Sequence, residues 1–132
     1  MGRAESIAAL LPGSVSTVDR GLSGYQRGHL LEKLLALELE ELGWRIVGFR
    51  QRCPYAEVDI LASQQNGYLL MVEVKSLSNW DFVSHRLGQR QKRRLLNGLA
   101  YFQSRWPGPV IFKLAMIETN GGVTWFGAEV LG

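Results

Sequence analysis

The sequence predicts an α/β fold, and three observations carry that expectation. Apolar residues recur first at helical spacing, then at strand spacing, in the order α-β-β-β-α-β-β. Turn chemistry separates the runs at Gly43, Gln64–Gly67, Pro107–Pro109 and Thr119–Gly122. A length of 132 residues with 46% apolar side chains suits one hydrophobic core, so a single domain is expected. Four Trp, four Tyr and five Phe exclude wholesale disorder.

Residues 1–24 lack clear periodicity and are read as a poorly ordered arm with a short helix over Glu5–Leu11, leaving 25–132 as the domain proper. From Tyr25 to Gly43, Leu30, Leu31, Leu34, Leu35, Leu37, Leu39 and Leu42 mark an amphipathic helix. Strands are expected at Trp44–Phe49, Glu57–Ala62 and Tyr68–Lys75, the last two pairing antiparallel. A second amphipathic helix runs from Leu87 to Arg105 through Leu95, Leu96, Leu99 and Phe102, and Pro107-Gly108-Pro109 ends it. Val110–Ile117 and Val123–Phe126 complete the set.

No apolar run reaches the ~18 residues of a membrane span, so no membrane partner is expected. An acid ahead of a short apolar patch makes the N-terminus a poor secretory signal, and the cytoplasm is the expected location. Cys53 is the single cysteine, which excludes an intrachain disulfide and a multi-cysteine zinc site. His29 and His85 are too few for a histidine metal site.

Charge is spread unevenly. Between Phe82 and Ile117 there is no acid, while Arg86, Arg90, Lys92, Arg93, Arg94, Arg105 and Lys113 supply seven positive charges; with a net +3, the rest of the chain carries −4. Such a block suits the phosphates of a nucleic acid, with Arg86, Arg90, Lys92, Arg93 and Arg94 as the expected contacts. A solvated helix face is the plainer reading of the same charges. Trp80, Phe82 and Tyr101 suit stacking on unpaired bases, although in a domain this small such residues mostly fill the core or its rim.

The sharpest signal is Glu57-x-Asp59 followed by Glu73-Val74-Lys75, charged residues set inside apolar strands. Alternation puts Glu57 and Asp59 on one face of their strand and Glu73 and Lys75 on one face of the next. A two-residue Asn66-Gly67 turn would set Asp59 opposite Val74 and divide the carboxylates between faces. A three-residue Gln65-Asn66-Gly67 turn with Gly67 left-handed sets Asp59 opposite Glu73 and Glu57 opposite Lys75. In that register Asp59 and Glu73 can hold one hard cation such as magnesium, with the Val74 carbonyl as a further ligand. Lys75 can orient the attacking water or stabilise charge on a phosphate. The alternative is a surface face with an ordinary Glu57–Lys75 ion pair. Glu32 lies at the border of the first helix's apolar face, from which it can reach the same site, whereas Glu40 belongs to the wet side.

Glu32 on a helix, Tyr55-Ala56-Glu57-Val58-Asp59-Ile60-Leu61-Ala62, Met71-Val72-Glu73-Val74-Lys75 and then Gln91-Lys92-Arg93-Arg94-Leu95 on a helix together resemble the PD-(D/E)XK nuclease superfamily. The likeness covers residues 24–118. It is nearest to the small bacterial YraN-like group and more distant from archaeal Holliday-junction resolvases. The chain departs from the YraN-like pattern at Ala56, where glycine is usual, at Leu77, where arginine is usual, and at Gln91, where lysine is common. The resemblance implies a restriction-endonuclease-like central mixed sheet flanked by helices, with Asp59, Glu73 and Lys75 as the core site, Glu32 as accessory acid and Gln91 as a polar helix position. It implies a Mg²⁺- or Mn²⁺-dependent nuclease or resolvase hydrolysing phosphodiester bonds in DNA. A non-catalytic nucleic-acid-binding or assembly module on the same fold is the alternative. Nucleases making paired cuts are often symmetric homodimers, for which the leucine-rich first helix or an edge strand could supply the contact.

Overall fold

The computed structural model describes residues 4–6, 24–76, 87–118 and 120–132. The first helix, α1 (Gly24–Glu41), buries Leu31, Leu34, Leu35, Ala36 and Leu39, a stripe at helical spacing. Leu37 and Leu42, expected on that stripe, are instead about half exposed: Leu37 falls on the opposite side of the helix, and Leu42 lies past its end at Glu41. The helix stops at Gly43, whose φ of +99° only glycine adopts freely. There the Gly43 N–H donates to the Glu40 carbonyl and the Trp44 N–H to the Leu39 carbonyl, both at 3.0 Å, which is a Schellman closure.

Among the described residues six strands form one sheet: β1 (Ala4–Ser6), β2 (Arg45–Arg52), β3 (Glu57–Ser63), β4 (Leu69–Ser76), β5 (Val110–Ile117) and β6 (Gly122–Phe126). Their spatial order is β1-β6-β5-β4-β3-β2. Among the described strands only β4 and β5 run parallel, joined through the helix α2 (Gln89–Arg105), so the sheet is mixed as the resemblance implies. α1 covers one face, over Ile60, Ala62, Leu70, Val72, Ala115 and Ile117. On the other face, α2 and a terminal 3₁₀ turn (Ala128–Leu131) cover Leu61, Met71, Phe112, Leu114 and Met116.

Three expectations are corrected. Glu5 and Ser6, read as the start of a short helix, are extended and pair with β6 as an edge strand, because Gly122 and Val123 offer them an open ladder; residues 7–23 of that segment lie outside the described ones. β2 runs on to Arg52 rather than ending at Phe49, since it keeps pairing with β3 as far as Arg52↔Glu57. Alternation along β3 breaks at Asp59: Ile60 packs under α1, whereas Val58 packs with Leu95 and Leu99 of α2. Opposite Asp59, Arg50 has a φ of 50°, in the left-handed region that side chains other than glycine and asparagine rarely adopt.

α2 lies close on the sheet because Gly98 faces it. A methyl group at Gly98 would meet Met71 Cε at 3.4 Å, Cys53 Sγ at 3.5 Å and Ala56 Cβ at 3.6 Å, all ordinary contacts. Gly98→Ala should therefore raise stability by about 0.5–1 kcal/mol, the usual cost of glycine within a helix. A denaturant titration reads this directly, and a lower midpoint would mean that α2 cannot admit one carbon.

Candidate functional site

The turn between β3 and β4 decides whether the carboxylates meet. Gly67 has a φ of +92°, its N–H donates to the Gln64 carbonyl, and the Gln64 N–H donates to the Tyr68 carbonyl, each at 3.0 Å. This is the three-residue turn. The ladder it sets runs Ser63↔Leu69 to Ile60↔Val72, so the next pair in register is Asp59 with Glu73. At that step the side chain displaces the ladder: Asp59 Oδ2 accepts from the Val74 N–H at 2.8 Å. β4 goes on in register with β5 to Ser76, and beyond Ile60 the bond to β3 is made through a carboxylate.

Glu73 is 7% exposed. Its Oε2 accepts from Gln91 Nε2 at 2.8 Å, while its buried Oε1 has no hydrogen-bond partner. Burial pushes the Glu73 carboxyl up to about 9, aided by the negative charge of Asp59. Burial raises Asp59 as well, against the opposing pull of the Val74 N–H. Lys75 favours the charged form of both acids, so its ammonium group stands near the pair. Two acids therefore meet at the carboxyl end of β4, within reach of the Lys75 charge, at the end where sheets with parallel strands commonly bind ligands.

Glu32 reaches this neighbourhood from α1 and is 5% exposed. Its Oε2 lies 3.3 Å from Arg50 Nη2, and its Oε1 is buried without a hydrogen-bond partner. Burial first, then the Asp59 charge, push its carboxyl up to about 7, while Arg50 pulls the other way. Glu57 does not pair with Lys75, as the strand register implied. Because alternation fails at Asp59, it lies 3.7 Å from Arg50 Nη1 and 3.5 Å from Arg52 Nε on β2.

A cavity of about 560 Å³ opens over the pair, its lining including Tyr55, Glu57, Asp59, Glu73, Gln91, Arg90 and Arg94. Of the expected phosphate contacts, Arg90 and Arg94, one turn apart on α2, face it. Lys92 and Arg93 lie elsewhere on the helix, and Arg86, His85, Trp80 and Phe82 lie outside the described residues. Tyr101 packs edge-on to Tyr55 with Arg105 4.0 Å above its ring, so it belongs to the rim rather than the core. A larger cavity of about 790 Å³ lies by Trp44 and the β3–β4 turn, but Glu40 is its one carboxylate, so size does not identify the site.

The donors at the pair are oxygens, two of them carboxylate, which suits a hard cation that keeps several waters. Among the described residues no three His, Cys, Asp or Glu side chains converge as a closed cage. Glu32 is turned toward Arg50 instead. Reading the sequence missed Arg50, because nothing in its local composition announces a left-handed residue, and missed Tyr55, whose place directly before the acidic strand was the available signal.

No helix among the described residues is long and apolar enough to cross a membrane. Comparison with known proteins finds several relatives. The chain is 38% identical over 90 residues to a UPF0102 protein of Granulibacter bethesdensis, covering 68% of this chain and 56% of that one. It is 36% identical over 89 residues to one from a Caulobacter species, covering 67% and 63%. A third, from Rhodopseudomonas palustris, is 29% identical over 111 residues, 84% and 82% of the two chains. The chain thus spans less than two thirds of the first two relatives and most of the third. Residues 31–117, which include every residue of the site, match the model of one family, and the chain belongs to it: the uncharacterised protein family UPF0102.

Proposed function

We propose that this protein is a metal-dependent nuclease of the PD-(D/E)XK type, cutting phosphodiester bonds in DNA. The observation that carries the reading is Glu73: a buried carboxylate facing a second one, with one oxygen held by Gln91 and the other without a partner. Two acids forced together in a dry place destabilise the fold unless a cation or a proton is supplied. Such an arrangement suits a site built for a cation.

Asp59 and Glu73, with the Val74 main-chain carbonyl, would hold Mg²⁺ or Mn²⁺. A bound divalent ion would polarise a phosphoryl oxygen and make water a better nucleophile. The chain's own groups do the rest. The Val74 N–H fixes Asp59, and the Gln91 amide fixes Glu73, so neither carboxylate swings when substrate arrives. Lys75 orients the attacking water and offsets charge gathering on the phosphate. Arg90 and Arg94 hold the flanking backbone, which positions a strand without reading its bases. DNA as partner, the cytoplasm as location and a homodimer for paired cuts are parts of the same proposal.

The test is incubation of duplex, single-stranded and branched DNA with Mg²⁺ or Mn²⁺. Cleavage by the wild type, lost with EDTA and in Asp59→Ala, is the expected result. Binding without cutting under either metal would favour the non-catalytic module, and cutting that survives Asp59→Ala would reveal a contaminant.

A further inference from the structure

Arg50 is held at a backbone cost. A non-glycine residue in the left-handed region is strained, and such strain persists only where the surroundings enforce it. What this conformation achieves is placement: one guanidinium nitrogen lies 3.3 Å from Glu32 and the other 3.7 Å from Glu57. Glu32 is thus oriented toward a protein cation, and no three acids gather around a common point among the described residues.

We propose that Arg50 is a built-in cation occupying Glu32, so that the site seats one divalent ion, on Asp59 and Glu73, where two could otherwise bind. The proposal rests on the metal-dependent reading above and makes Arg50 a positioning residue.

Calorimetric titration of the EDTA-stripped protein with Mn²⁺ tests it. The wild type should take up one ion per chain. Arg50→Asn removes the charge with a residue that tolerates left-handed backbone, and should take up two; adding Glu32→Gln should return the count to one. Two ions in the wild type, or one in folded Arg50→Asn, would overturn the proposal. Paramagnetic resonance of the Mn²⁺-loaded wild type is independent of whether the variant folds: an isolated-ion spectrum is expected, and a spin-coupled pair would overturn it. A wild type that takes up no ion defeats the metal-dependent reading itself, an outcome distinct from the wrong count.

Discussion

Replacing Glu73 by Gln is expected to make the metal-free protein more stable at pH 8 while removing its cleavage. Glu73 titrates near 9 in the fold against an ordinary 4.5, so between those values the native state holds a proton that the unfolded chain has released. Stability is therefore full below about pH 4.5 and falls as pH rises through 9. Asp59 is shifted in the same direction, and Glu32 to about 7, so all three acids weaken the metal-free fold in alkali. A glutamine at position 73 imitates the protonated acid: its carbonyl accepts the Gln91 bond and its amide donates to Asp59. The gain at pH 8 should be about 1–3 kcal/mol, the scale for relieving a buried polar group that lacks a partner. Thermal melts in EDTA from pH 5 to 9 should slope downward for the wild type and less steeply for Glu73→Gln. Magnesium should restore the wild type at high pH, by about 2.7 kcal/mol at a hundredfold excess over Kd, and should do little for the variant. A wild-type melt that rises with pH would remove the case for a strained acid pair.

Lys75→Met should lower the cleavage rate by about 10²–10⁴-fold, the range for losing one positioned acid–base or charge-stabilising group. DNA affinity should change little, because the ammonium acts on the scissile phosphate rather than on the flanking backbone. The double variant Arg90→Ala, Arg94→Ala should behave in the opposite way, weakening binding with the chemical step intact. Its dependence of log K on log salt should be shallower by about 1.8, at roughly 0.9 for each lost phosphate contact. Single-turnover rates and salt-dependent binding separate the two. Equal loss of binding and rate in Lys75→Met would move that residue from the chemistry to the grip.

Much of this site could be read before any coordinates. Asp59 opposite Glu73 follows from turn chemistry, because Gln65-Asn66-Gly67 admits few registers and only one joins the acids. Gln91 comes only from the resemblance, and Arg94 from the acid-free basic block along the second helix. What could not be read depends on contacts distant in sequence. The left-handed Arg50 and the redirected Glu57 belong to the pairing of β2 with a strand that changes face at Asp59, and no local pattern encodes that change. β1 is too short to show any period, and its pairing with β6 joins opposite ends of the chain.

The helix α2 is fastened at both ends to the hairpin it crosses. Near its start Gln91 donates to Glu73, and just past its end the Trp106 indole donates to the Gly67 carbonyl at 2.7 Å. With 17 residues it is a rod about 25 Å long pinned at two places. A rod so anchored cannot rock about its middle, and a polymer tugging on Arg90 and Arg94 loads the hairpin as a whole. The spacing of the two acids is thereby insulated from the pull of whatever the arginines grasp.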